Sequence, residues 1–161
     1  MNSPANETDG AFMRAALEEA VQSAAIGEVP IGAVLVHGNK IIARSHNHRE
    51  AWQDPTAHAE MIVIREAAKA LGGWRLIDTT LFVTLEPCAM CLGAIILARI
   101  PRLVFGARDP KAGACGSVLD FAGDARLNHR IHVMEGVLAD DSQQILTRFF
   151  KELRAPGLQS S

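Results

Sequence analysis

The sequence predicts an α/β fold with three layers, α/β/α, built on a central mixed five-stranded sheet. Three observations predict it. Strand-like and helix-like segments alternate through the middle of the chain, which favours parallel strand pairs with helices on both faces. A short hairpin precedes the alternation and makes the sheet mixed. The first strand-like run, Ile31 to Val36, is apolar throughout, as in a strand covered on both sides. The chain has 161 residues, 48% hydrophobic and 21% charged, which suits one globular domain. That domain is expected over residues 8–155, with 1–7 and 156–161 as flexible termini.

The elements follow in order. Helical spacing of Met13, Leu17, Ala20, Val21 and Ala24 predicts a first helix over Gly10 to Ile26, with Arg14, Glu18, Glu19 and Gln22 outside. Asp9 is its expected cap and Gly27 its stop. Ile31 to Val36 and Lys40 to Arg44 flank the turn His37-Gly38-Asn39. Asp54-Pro55-Thr56 opens a second helix with Met61, Ile64, Ala68 and Leu71 inward, ended by Gly72-Gly73. Thr79 to Leu85 is a third strand, Cys88 to Arg99 a third helix and Arg102 to Ala107 a fourth strand. Ile131 to Met134 completes the sheet. Asp140 to Arg154 is a last helix with Ile145, Leu146, Phe149, Phe150 and Leu153 inward.

Sixteen Lys and Arg stand against 18 Asp and Glu, a net charge of −2. This excludes a strongly basic nucleic-acid module while leaving room for a local basic groove. Arg148, Lys151 and Arg154 on the last helix, with Arg102, Arg108 and Lys111 near the fourth strand, are the candidate phosphate contacts. The longest nearly unbroken apolar run, Cys88 to Ala98, is shorter than the ~20 residues a bilayer requires. Residues 1–10 hold no signal-peptide core, so a soluble cytoplasmic protein without membrane contact is expected. An odd count of three cysteines argues against a disulfide framework.

Two of those cysteines form Cys88-x-x-Cys91, at i and i+3 in the first turn of a helix, where unpaired N–H groups favour thiolate. Alone the pair fits a redox site or half of a structural zinc site. With His58 it supplies one imidazole and two thiolates, a set suited to zinc. A structural zinc takes four protein ligands, and the remaining thiol, Cys115, is 24 residues beyond Cys91. Three ligands leave a fourth position for water. Glu60, two residues after His58, is the candidate proton carrier; its alternative is a first-turn carboxylate facing the helix dipole. Positions i and i+2 diverge by ~200° on an ideal helix, so His58 and Glu60 converge only at a helix tip.

The order His58-Ala59-Glu60, then Pro87-Cys88-Ala89-Met90-Cys91, resembles the zinc-deaminase signature. From Met13 to Lys151 the chain is most similar to the bacterial tRNA-specific adenosine deaminases. Gly27 to Val34, Asp54 to Glu60, Thr84 to Cys91, Phe105 to Gly113, Asn128-His129 and Phe149-Phe150 carry the likeness. Phe82, Cys115 and Gly73 depart from the family's usual Tyr, Ala and Asn, away from the metal set. The resemblance implies a cytidine-deaminase-like fold, a homodimer and one Zn2+ per chain on His58, Cys88 and Cys91. It implies hydrolytic conversion of adenosine to inosine at the wobble position of the tRNA anticodon stem-loop, by a zinc-bound hydroxide with Glu60 as proton shuttle. It further implies substrate contacts from Asn47, from the backbone of Ala59 and, along the flanking ribose, from Asp109. His46 and His48, beside Asn47, are expected on a loop and not on the metal. The alternatives are a zinc-dependent deaminase of free guanine or cytidine and, outside enzymes of this kind, a redox or structural-metal protein. The homodimer has a motive in the chain itself: Leu92, Ala94, Ile95, Ile96 and Leu97 leave the third helix almost no polar face.

Overall fold

Alternate residues of each strand leave the sheet in opposite directions, and each set meets its own pair of helices. In the computed structural model, which describes residues 6–155, the strands are β1 (Gly32–His37), β2 (Lys40–His46), β3 (Thr79–Leu85), β4 (Arg102–Ala107) and β5 (His132–Met134). Their order is β2-β1-β3-β4-β5. β1 runs antiparallel to β2 and β3, whereas β3, β4 and β5 are parallel. The helices are α1 (Glu7–Ala25), α2 (Arg49–Trp52), α3 (Ala59–Leu71), α4 (Ala89–Leu97) and α5 (Ala139–Leu153). One face of the sheet, with Leu35, Leu81, Val83, Leu103 and Phe105, packs against α3 and α4. The other, with Val34, Val36, Phe82 and Val104, packs against α1, and α5 lies beside α1. The expected three layers and mixed five-stranded sheet are present.

Several details differ from the sequence pattern. The first helix begins at Glu7, inside the stretch expected to be loose, and its cap is Asn6, whose side chain accepts the Asp9 N–H. The remaining expected loose positions, 1–5 and 156–161, lie outside the described residues. Asp9 instead lies inside α1, buried, and forms a two-pronged ion pair with Arg102 at 2.8 Å. The buried face of α1 is Asp9, Met13, Ala16, Ala20 and Ser23, a true 3.6-residue stripe, so Val21 is exposed. Glu19, expected outside, is buried: its carboxylate accepts Arg44 Nε at 2.7 Å and pairs with His46 Nδ1 at 2.8 Å.

On α3 the buried set is Ala59, Glu60, Ile62, Val63 and Ala67, one position round from the expected stripe, and Leu71 is exposed. That rotation is what turns Glu60 inward. On α5 the buried positions are Ser142 and Leu146, whereas Phe150 and Leu153, expected inward, are 40% and 55% exposed. The contact stripe belongs to the first half of α5, and its last turn extends past it. Helix α2 was not expected; it occupies the run after His48 that reads as loop.

Gly32 shows how closely α1 lies on the sheet, since a Cβ there would strike the backbone of Ala16 and Ala20. No described helix is long and apolar enough to cross a membrane.

Candidate active site

Two helix N-termini converge at one edge of this frame. His58 is the N-cap of α3, with extended backbone at φ −77° and ψ 148°. Cys88 is the N-cap of α4, also extended, and Cys91 lies in that helix's first turn. Because His58 precedes the helix, the ~200° divergence of an ideal helix does not apply to it. Its Nδ1 sits 3.5 Å from Cys91 Sγ and 3.8 Å from Cys88 Sγ. The three ligand atoms lie within 4.8 Å of one another.

The donor set tests well against zinc. One imidazole and two sulfurs are within reach of a single ion, and the N-terminus of α4 favours the thiolate form of Cys88. The Cys91 thiol and the His58 ring beside it hold Cys88 down to about 3, despite its burial. Cys88 in turn, together with burial, pushes Cys91 up. The hydrogen bond to Cys88 raises His58 above its ordinary value. Cys115 is not in this group. Burial pushes its thiol up to about 12, so at neutral pH it is an unreactive thiol.

Glu60 is 4% exposed. Its Oε1 has no hydrogen-bond partner among the described residues. Burial raises its carboxyl above the usual carboxylate range. A carboxylate that merely faced a helix dipole would be expected in contact with water or N–H groups. Here one carboxylate oxygen, Oε1, is buried without a partner, close to the candidate metal ligands.

Asn47 is buried and fixed from three sides. Its N–H donates to the Ile31 carbonyl at 3.3 Å, and its carbonyl accepts Ser23 Oγ at 3.4 Å. Its Oδ1 accepts the Ala59 N–H at 2.9 Å. Two expected substrate contacts, Asn47 and Ala59, are thus bonded directly to each other. Buried Glu28 accepts the Ala51 N–H at 2.7 Å and ties α2 to the same corner.

Asp109 stands farther along the rim. Its Oδ1 accepts the N–H groups of Lys111 and Ala112 at 3.0 and 3.3 Å, so its side chain shapes its own turn. Glu86 is the residue that sequence reasoning missed. It is buried beside Cys88, and its carboxylate gathers the rim loop. The Asp109 N–H (3.1 Å) and Ser117 Oγ (2.5 Å) donate to Oε1, and the Cys115 (2.9 Å) and Ser117 (3.2 Å) N–H groups donate to Oε2. Gly113 crosses so close that a Cβ would overlap this carboxylate. The Ala114 N–H donates to the Pro87 carbonyl at 2.9 Å, docking the loop onto the start of α4. A Glu directly before Pro87 was the only signal of this, and nothing local marks it as a loop anchor.

The expected phosphate contacts divide. Arg102 is paired with buried Asp9, and Arg108 with Glu135 at 2.7 Å. Lys111, Arg148, Lys151 and Arg154 are exposed, and form no ion pair among the described residues. His46 and His48 do not join the metal group. His46 ends β2 against Glu19, and His48 caps α2.

Residues 7–154 match the family model described as MafB19-like deaminase. The chain is 52% identical over 146 residues to the tRNA-specific adenosine deaminase of Bacillus subtilis (strain 168), covering 91% of each. A solved structure from work on A-to-I editing by tRNA:A34 deaminases at the wobble position of transfer RNA superposes with a TM-score of 0.82. It is 48% identical and covers 84% of this chain and 99% of that one. The guanine deaminase of Bacillus subtilis is more distant, at 38% identity and a TM-score of 0.61, covering 70% of this chain and 71% of its own.

Proposed function

Since the chain belongs to the family of tRNA-specific adenosine deaminases, we propose that it converts adenosine to inosine at the wobble position of a tRNA anticodon. The observation that carries the chemistry is one imidazole and two sulfurs on two helix ends, with a buried carboxylate beside them, one oxygen of which has no partner among the described residues. His58, Cys88 and Cys91 would hold a zinc ion. A zinc ion held there would supply the acidification of a bound water toward neutral pH.

The rest is the work of side chains. Glu60 takes one proton from water as it adds to C6 and delivers it to the ring nitrogen; it then takes the proton of the new C6 hydroxyl and gives it to the amine, which departs as ammonia when the C6–N bond breaks. Water and adenosine become inosine and ammonia, and Glu60 returns to its starting state. Its raised proton affinity suits both transfers. Asn47, with Oδ1 engaged by Ala59, keeps its amide N–H2 as a donor for the nucleoside. Ala59, whose N–H is bonded to Asn47, keeps its carbonyl. Asp109, on the loop anchored by Glu86, would contact the flanking ribose. Flanking nucleotides supply the binding energy that holds the base in position, so free adenosine is expected to be a poor substrate.

We place the enzyme in the cytoplasm with its RNA substrate, and as a two-fold homodimer. Supporting the dimer, Leu97 and Met90 on the apolar helix α4 are 69% and 37% exposed while Leu92 and Ile95 are fully buried. Light scattering at micromolar concentration is expected to give twice the chain mass. The decisive experiment for function is incubation with a tRNA pool followed by sequencing for A-to-G changes at the wobble position. Turnover of free guanine or cytidine at a comparable rate would move the assignment to the free-base deaminases.

A further inference from the structure

Three rings stand in a row beside the site. His46 and His48 have centroids 4.4 Å apart, and the Trp52 indole lies on His48 at 4.4 Å with only 10° between planes. The inner end of the row is fixed, because His46 Nδ1 is bonded to buried Glu19. The outer end is free: Trp52 is 53% exposed, with one face on His48. The chain's other tryptophan, Trp74, is equally exposed, but the Arg75 guanidinium covers its ring at 4.2 Å.

The row is rigidly joined to the catalytic corner. Asn47, between the two histidines, points the other way and bonds Ala59. The His48 N–H donates to the Ala57 carbonyl at 3.0 Å, one residue before His58. The Ala51 N–H is held by Glu28, and the Trp52 N–H by the His48 carbonyl at 2.9 Å. Successive residues therefore divide between the site and the stack.

We propose that Trp52 is a stacking platform for the unpaired base adjacent to the target nucleotide, with His48 and His46 as its backing. This rests on the RNA substrate proposed above. A planar, partly desolvated indole beside the exposed cation Arg49 is the combination that holds single-stranded bases without reading their sequence. Neither histidine is needed for metal, which leaves both rings to pre-order the indole.

The test uses an anticodon stem-loop RNA, intact and with an abasic residue on either side of the target adenosine. Binding is measured by anisotropy and inosine formation on the same preparations. Trp52→Ala is expected to weaken binding of intact RNA by about ten-fold, and Trp52→Phe to restore most of it. With one of the two abasic RNAs, Trp52→Ala and wild type are expected to bind alike, because the stacked base is already missing. In a Trp74→Phe background, intact RNA is expected to quench the remaining tryptophan fluorescence. Unchanged affinity in Trp52→Ala overturns the proposal. So does an equal loss on every abasic RNA, which makes the indole merely structural, or a changed oligomeric state with unchanged RNA affinity, which makes it a dimer contact. Failure of the wild-type enzyme to form any inosine would instead remove the substrate assignment.

Discussion

Glu60 and Glu86 make an instructive pair. Both are buried glutamates within two residues of a metal-ligand candidate, 4% and 3% exposed; Glu60 lies in the first turn of α3, and Glu86 in the connection between β3 and α4. Glu86 accepts four hydrogen bonds, and Glu60 leaves an oxygen with none among the described residues. Their proton affinities diverge accordingly. Burial pulls on Glu86 too, but the Ser117 hydroxyl and three backbone N–H groups outweigh it and hold its carboxyl below the usual range. At Glu60 burial wins and the carboxyl is raised. A buried polar group without a partner costs about 1–3 kcal/mol. Evolution tolerates that at a place where the partner is the reacting molecule. On the proposed function, one carboxylate builds the site and the other works in it.

The comparison breaks first at Glu60. Glu60→Ala is expected to lower inosine formation by at least ~10²–10⁴-fold, the range of a lost acid–base group. It is expected to keep about one zinc per chain, since the imidazole and two thiolates remain. Its melting temperature is expected to match or exceed the wild type's, because an unsatisfied buried group is gone. Zinc loss would make Glu60 a ligand, and near-normal turnover would return it to a helix-dipole role. Zinc content also separates the cysteines. His58→Ala, Cys88→Ala and Cys91→Ala are each expected to lose metal, and Cys115→Ala to retain it. A need for Cys115 would turn the centre into a four-ligand structural site.

Glu86 should fail in the opposite manner. Glu86→Ala strands the donors of Asp109, Cys115 and Ser117 and is expected to destabilise the fold by about 3 kcal/mol. For a chain of this size that is roughly 6–12 °C in melting temperature. RNA affinity is expected to fall with it as the loop carrying Asp109 loosens, while zinc remains. A stable Glu86→Ala protein with normal RNA binding would show that the loop holds itself.

The two residues also differ in how they could be read from the sequence. Glu60 could be singled out because its signal is local: it follows His58 by two positions, and the two cysteines make a carboxylate there meaningful. The metal set was legible by the same logic, and the sheet by its alternating apolar runs. Glu86 was not, since all its partners lie 23 to 31 residues later, on a loop without regular structure. The faces of α1 and α3 slipped for a related reason. Polarity placed Glu19 outside and Glu60 off the inner stripe, whereas Arg44 with His46 in one case, and the site itself in the other, drew them in. Apolar spacing finds a helix; it does not find a buried charge whose partner is on another element.

Asp9 offers the smallest and cleanest test of paired against unpaired burial. Its ion pair with Arg102 holds its carboxyl below the usual carboxylate range, the hydrogen bonds outweighing burial. Such a group stabilises the fold above its unfolded value of ~3.9 and loses that contribution as pH falls through the lowered folded value. Asp9→Asn keeps the shape and removes the charge, and is expected to cost about 1–2 kcal/mol at pH 7. The gap between wild type and variant in urea unfolding is expected to narrow below about pH 4 and to close at more acid pH. Glu135→Gln, which breaks the exposed Arg108 pair, serves as the control, with a change below about 0.5 kcal/mol at any pH. A gap for Asp9→Asn that persists unchanged to pH 2 would mean that packing, and not the paired charge, holds α1 to β4. The contrast with Glu60 would then rest on Glu86 and Glu19 alone.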